Sequence, residues 1–243
     1  MDEDQIAAHL LGRVLVLTGA GISVASGLPT FTGNTGLYHG LNPYDLASPQ
    51  AFRNQPVIVW NWYLMRIREG IKAKPNAAHT SLRELEDISE AVTIVTSNVD
   101  PLHQLAGSKN VYQLHGDILE TLCTNCRGVD DLEMSLVNEE LTEETIPRCA
   151  CGGMLRPNVV WFGEYPWTEA LEAVQSEMPK ANIVLEVGVS GNVTYGFSQI
   201  AARNEIPVIR INPDGEPEPG ITLIKENSEV ALPRLVSAAR QYA

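Results

Sequence analysis

The sequence predicts an α/β protein: a mainly parallel sheet with helices on both faces, and a small lobe made of a helical insertion and a cysteine-bearing module. Three observations predict it. Short apolar runs alternate with helical patterns along most of the chain, the first of those runs ends in a glycine-rich turn, and all four cysteines fall in one segment. Strands that alternate with helices favour parallel pairing, because each crossover helix returns the chain to the same edge direction.

The first strand is Val14–Leu17, followed by Thr18-Gly19-Ala20-Gly21-Ile22-Ser23. Gly19 and Gly21 have no Cβ, so they can take positive φ and the backbone there can approach a ligand closely. A third glycine would complete the dinucleotide fingerprint, but Val24 stands there. Later strands are expected at Ala91–Val95, Asn110–Leu114, Asn182–Val187 and Val208–Ile211, with helices at Ala77–Leu85 and Thr194–Arg203 among them. Ligands of such sheets bind beyond the carboxyl ends of the strands. The residues there are Gly19–Gly21, Ser97–Asp100, His115-Gly116, Gly188–Ser190 and Asn212–Asp214. Residues of about 38–76, helical and aromatic, and about 120–156, with every cysteine, interrupt the alternation. The expected large lobe is therefore 1–37, 77–119 and 157–243, with 38–76 and 120–156 forming the small one. Glu186, in an apolar strand, has no explanation at the level of sequence.

The 243 residues are 44% hydrophobic and 19% charged, with net charge 17 − 30 = −13. That balance argues against a nucleic-acid surface, which needs clustered Lys and Arg. No run of about 18 apolar residues suggests a membrane span. The acidic start Met1-Asp2-Glu3-Asp4 lacks the basic-then-apolar pattern of an export signal, so a cytoplasmic location is expected.

Cys123 and Cys126 form a C-x2-C pair, and Cys149 and Cys151 a C-x-C pair. Two close pairs without an export signal point to structural zinc rather than disulfides. Four thiolates close the coordination shell and leave no position for a reactive water.

Taken together, Gly19-Ala20-Gly21-Ile22-Ser23 with Gly27-Leu28-Pro29-Thr30-Phe31, Thr96-Ser97-Asn98-Val99-Asp100 with Leu102-His103, and Leu114-His115-Gly116 form an ordered series. The four cysteines, Leu155-Arg156-Pro157, Val159–Glu164, Gly188-Val189-Ser190 and Asn212 continue it. The series resembles the sirtuins, NAD-dependent protein-lysine deacylases, over nearly the whole chain. The resemblance implies a single domain over 1–243: a Rossmann-like lobe that holds NAD, a zinc-bearing small lobe, and an acylated lysine entering between them. It implies transfer of the acyl group to ADP-ribose with release of nicotinamide, and acylated-lysine proteins or peptides as partners. His115 matches the general base. Asn98 and Asp100 match the nicotinamide pocket, and Phe31 an aromatic over the adjoining ribose. Gly19, Ala20, Gly21, Ser23, Gly188, Ser190 and Asn212 match positions around NAD. Val160, Phe162 and Gly163, with Gly191 and Asn192 opposite, match the segment that pairs with the substrate backbone. His79 and His103 are read as packing or helix-surface residues.

Tyr63 and Arg66, at i and i+3, share a helix face. In the sirtuins a Tyr-x-x-Arg pair here marks removal of acidic acyl groups such as succinyl and malonyl, since a guanidinium grips a carboxylate with two parallel bonds. Ala47 matches a small residue that leaves room for a longer acyl chain. Three cofactor-side positions depart from the pattern: Thr32 for arginine, Ser97 for glutamine and Val189 for threonine. These departures keep open a cofactor-impaired binding protein, an NAD glycohydrolase or an ADP-ribosyltransferase.

Overall fold

The computed structural model describes residues 1–30, 42–190 and 194–243. Six strands, β1 (Arg13–Thr18), β2 (Ala91–Thr96), β3 (Val111–Gln113), β7 (Ile183–Val187), β8 (Val208–Ile211) and β9 (Ile221–Ile224), pair in parallel in the order β3-β2-β1-β7-β8-β9. Three more, β4 (Gly116–Cys123), β5 (Val129–Asp131) and β6 (Leu155–Val159), form an antiparallel sheet in the order β5-β4-β6. This smaller sheet starts at Gly116 and runs to Val159, a few residues beyond the 120–156 segment on each side.

Alternation along the central strand sets up both layers, since successive side chains point to opposite faces. Val14 and Val16 of β1 pack with α1 (Glu3–Leu10), α4 (Ala77–Leu85) and α8 (Ser228–Ala239) through Ile6, Leu10, Leu82, Leu85, Leu232 and Leu235. Leu15 and Leu17 face the other way, toward Ala170 and Val174 of α6 (Thr168–Glu177) and Ala201 of α7 (Phe197–Arg203). A third cluster joins α2 (Pro49–Asn54) and α3 (Pro56–Gly70) to the small sheet through Phe52, Trp60, Leu64, Ile67, Ile118, Leu132 and Trp161. α3 opens on proline at its first turn and buries Val59, Trp60, Tyr63, Leu64 and Ile67 along one stripe. The short α5 (Leu102–Leu105) follows the second strand's carboxyl end. Among the described residues, no helix is long and apolar enough to cross a membrane.

Three points that the sequence raised take definite form. Gly19 has φ −130, and Gly21 is not among the positive-φ glycines. What they supply is closeness. A Cβ on Gly19 would lie 2.8 Å from the Gly188 carbonyl oxygen, and one on Gly21 2.6 Å from the Gly188 Cα, while Gly188 itself takes φ +61. The helix expected from Thr194 begins at Phe197, because Tyr195 and Gly196 are left-handed. Glu186 acquires a reason: it lies opposite Arg210 in the β7–β8 register, forms an ion pair with its Nε, and accepts from Ser198 Oγ on α7. Arg210 also reaches Glu218 at 3.0 Å. A charge on the α7 face of β7 is thus paired as it is buried.

Candidate functional site

The strand order reverses direction between β1 and β7, and such a switch point opens a crevice at the strands' carboxyl ends. The turn after β1 is a 3-10 helix, Ala20–Ser26, with Gly19 at its cap. Gly19 N–H bonds to the Val187 carbonyl (3.1 Å) and Gly21 N–H to that of Gly188 (2.9 Å), which clasp the two loops together. Asn76, the cap of α4, donates to the Ile22 carbonyl (2.8 Å) and to Ser26 Oγ (3.0 Å), holding the helix from behind.

Beyond this clasp lies a cavity of about 530 Å³. It brings together the candidate cofactor residues Ala20, Ser23, Ser97, Asn98, Asp100, His115 and Ser190 with the candidate substrate residues Ala47, Tyr63, Arg66, Val160, Phe162 and Gly163. Gly19, Gly21, Gly188, Val189 and Asn212 do not line it. They brace its rim, with Asn212 Nδ2 donating to the Val189 carbonyl at 2.8 Å. Phe31, Thr32, Gly191 and Asn192 lie outside the described residues.

Asn98, Ser23 and Asp100 form one chain of bonds. Asn98 Nδ2 donates to the Gly19 carbonyl (3.2 Å) and Ser23 Oγ (3.3 Å), and Ser23 Oγ donates to Asp100 Oδ2 (3.0 Å). Leu102 N–H fixes the other Asp100 oxygen at 3.1 Å. Burial nevertheless pushes the Asp100 carboxyl above its ordinary range. Asn98 and Asp100 thus present an amide and a carboxyl with fixed orientations, able to hold a carboxamide.

His115 follows β3 and is held by the residue after it. Gly116 has φ +86, and a Cβ there would lie 2.1 Å from the Asn158 carbonyl oxygen. The His115 Nδ1 sits 2.9 Å from the Ser97 carbonyl oxygen. A carbonyl can only accept, so the neutral ring carries its proton on Nδ1 and turns the Nε2 lone pair outward. Burial lowers the His115 pKa and so favours the neutral ring, while the Ser97 bond opposes that shift.

In the same cavity, Trp161 Nε1 donates to the Tyr63 hydroxyl oxygen at 2.9 Å, leaving the phenol O–H as a donor. Burial raises the Tyr63 pKa, so that proton stays on. The Arg66 guanidinium lies 4.7 Å from the Trp62 ring centre and 5.5 Å from that of Tyr63. Among the described residues, no carboxylate lies within ion-pair reach of it. Trp161 is positioned in turn by Glu164, which accepts its N–H (2.9 Å) and both arms of Arg156 (2.6 and 2.9 Å). Burial works against the Glu164 charge, but the Arg156 bonds win and its pKa falls. The amides of Val160 and Phe162 already bond inward, to the carbonyls of His115 and Ala47. Any strand added here therefore pairs with the other backbone groups of the segment.

Two features escape sequence reading. Tyr195 meets His115 Nε2 at 3.0 Å across 80 residues of chain, and no local pattern announces it. The Arg156–Glu164–Trp161–Tyr63 chain joins motif residues whose mutual contacts arise only from folding. His79 and His103 are both fully buried, with ring centres 5.0 Å apart, and neither is a surface residue.

The donors among the candidate cofactor residues are hydroxyl, amide and backbone groups. Arg66 is the only Lys or Arg lining the cavity among the described residues. That set fits a dinucleotide: neutral donors suit ribose and phosphate oxygens, and an amide beside a carboxyl suits a carboxamide. The four cysteine Sγ atoms lie within 4.8 Å of one another, with Cys123–Cys151 at 3.5 Å and Cys126–Cys149 at 3.7 Å. Four Zn–S bonds of about 2.3 Å place the sulfurs of a tetrahedron about 3.8 Å apart, so the tight C-x-C pair still fits zinc.

Comparison with known proteins agrees with this geometry. Residues 19–195 match the model of the Sir2 family. An NAD-dependent protein deacylase of Pyrococcus abyssi is 41% identical over 237 residues, 94% of each chain. A Sir2 homologue solved as an ADP-ribose complex superposes with TM-score 0.89 at 34% identity, covering 100% of this chain and 98% of that one. A Sir2–p53 peptide–NAD+ structure gives 0.80 at 28% identity, covering 99% and 100%. Motif order, sheet topology, four-thiolate cluster and these matches agree, and the chain is a member of the Sir2 family.

Proposed function

We propose that this chain, an NAD-dependent protein-lysine deacylase, removes succinyl and malonyl groups in preference to acetyl. The deacylase activity follows from the family and from relatives that carry that name at about 40% identity over most of the chain. The preference is carried by one observation: the cavity lined by His115 is also lined by Tyr63 and Arg66, a phenol and a guanidinium with no ion-pair partner among the described residues. A carboxylate at the tip of an acyl chain meets two guanidinium N–H groups and one O–H there, which a methyl group cannot use.

NAD, when bound, would supply an electrophilic sugar carbon as the acceptor for the acyl oxygen. The rest falls to the chain's own residues. Asn98 and Asp100 orient the leaving carboxamide, and Ala20, Ser23 and Ser190 hold the sugar-phosphate end. His115 Nε2 takes a proton from a ribose hydroxyl, since its other nitrogen is tied to Ser97. The Val160–Gly163 segment offers backbone groups to an extended peptide, a mode that reads little side-chain identity.

The test is mass spectrometry of products from NAD with acetyl-, succinyl- or malonyl-lysine peptide. O-succinyl- or O-malonyl-ADP-ribose formed faster than the acetyl product supports the reading. Equal rates on all three peptides remove the preference, and free ADP-ribose without deacylation replaces the reading with NAD hydrolysis. His115→Ala is expected to abolish turnover.

A further inference from the structure

The hydroxyl of Tyr195 lies 3.0 Å from His115 Nε2, the one ring nitrogen that carries a lone pair once Nδ1 is tied to the Ser97 carbonyl. A neutral phenol facing that lone pair is the donor. Tyr195 is held there by its own backbone: φ is +53, in the left-handed region that residues with a side chain rarely enter. Gly196 follows at φ +73 and caps α7. The Tyr195 ring also lies 6.1 Å from that of Phe197 and 6.1 Å from that of His115, so it is braced on two sides. Tyr195 is still 45% exposed, and its ring lines the cavity with an open side toward solvent.

We propose that Tyr195 is a resident competitor for the proton-accepting nitrogen of His115, its hydroxyl standing where a sugar hydroxyl of the dinucleotide must come. The inference rests on the reading of His115 as the base. Productive entry of the sugar exchanges one O–H···Nε2 bond for another, so the phenol turns out toward solvent as the ligand seats. No covalent change is involved. The proton that His115 later accepts comes from the ligand's hydroxyl, and Tyr195 keeps its own. Tyr195 therefore weakens apparent NAD affinity and, in the free protein, holds the imidazole in its neutral form.

Ligand-free protein and its Tyr195→Phe variant are compared by NMR titration of the His115 ring. Losing a hydrogen bond that favours the neutral ring raises the His115 pKa by about 0.3–1 unit. Tyr63, Arg66, Glu69, Asp100 and Glu164 also line the cavity, and removing one hydroxyl leaves these charges in place. In turnover, kcat/KM for NAD is expected to rise about 2- to 10-fold, and its acid limb to move to higher pH. The acid limb of kcat stays, because the phenol has already left in the ternary complex. Tyr195→Gly, compatible with the left-handed φ, is expected to shift both readouts in the same direction. An unmoved His115 titration, or a fall in kcat/KM for NAD in Tyr195→Phe, overturns the proposal. If His115→Ala retains turnover, the base assignment fails instead, and the NMR arm still decides whether Tyr195 occupies Nε2.

Discussion

Arg66 presents a guanidinium to two aromatic faces and, among the described residues, has no carboxylate within ion-pair reach, which makes it available to a ligand in the cavity. Arg66→Met is expected to lower kcat/KM on a succinyl-lysine peptide about 10- to 100-fold, the range of a charge-assisted bond, and to change the acetyl value less than about threefold. Paired steady-state assays on the two peptides check this, and equal losses would remove Arg66 from acyl recognition. Tyr63 has a double duty, since its oxygen also satisfies the Trp161 indole N–H, which is 2% exposed. Tyr63→Phe leaves that donor unpaired, at a stability loss of about 1–3 kcal/mol in urea unfolding, besides lowering succinyl turnover. The candidate residues themselves were legible in the chain because each sits in a short ordered motif. Their partners were not: Trp161 and Tyr63 are 98 residues apart, His115 and Tyr195 80.

Among the elements, β7 shows how a local oddity becomes a pairing. Glu186 is apolar-strand sequence interrupted by a charge, and only the register with β8 shows Arg210 beside it. Arg210→Met strands a buried carboxylate and is expected to destabilise the fold by about 3–5 kcal/mol, whereas Glu186→Leu with Arg210→Met restores most of that loss. Urea unfolding of the single and double variants measures the difference, and additive losses would contradict the pairing. The turn after β1 teaches a similar lesson. Two glycines in sequence suggest conformational freedom, yet the structure uses their missing Cβ atoms for contact with Gly188. Which of those uses applies depends on a loop some 170 residues further along.

At the scale of the molecule, the zinc-type cluster closes the small sheet at the end where β4 reaches Cys123. Removing zinc with a strong chelator is expected to abolish deacylation and shift tryptophan fluorescence, as Trp60 and Trp161 lie in the same cluster as the small sheet. Far-UV circular dichroism should retain the signal of the parallel sheet and its helices, and a full loss would show that the two sheets fold as one unit. A second global property follows from His79 and His103. Burial lowers their pKa values to about 4 and about 3. Below pH 6.5 the unfolded chain binds protons that the folded chain refuses, so stability falls as pH falls toward those values. Between pH 7 and pH 5 each residue withdraws about 2 kcal/mol. Urea unfolding at the two pH values tests this, and His79→Gln or His103→Gln should each flatten the dependence by roughly half.

The chain's order of motifs and its alternation of apolar runs determine the parallel sheet and the family, and they nominate the residues proposed to carry the chemistry. These depend on near neighbours, through side-chain period and turn chemistry. Tertiary structure alone decides which nitrogen of His115 carries the lone pair, what stands against it, how Trp161 is braced and why Glu186 is tolerated. Most of those contacts close loops of 18 to 98 residues, whose ends no local pattern specifies.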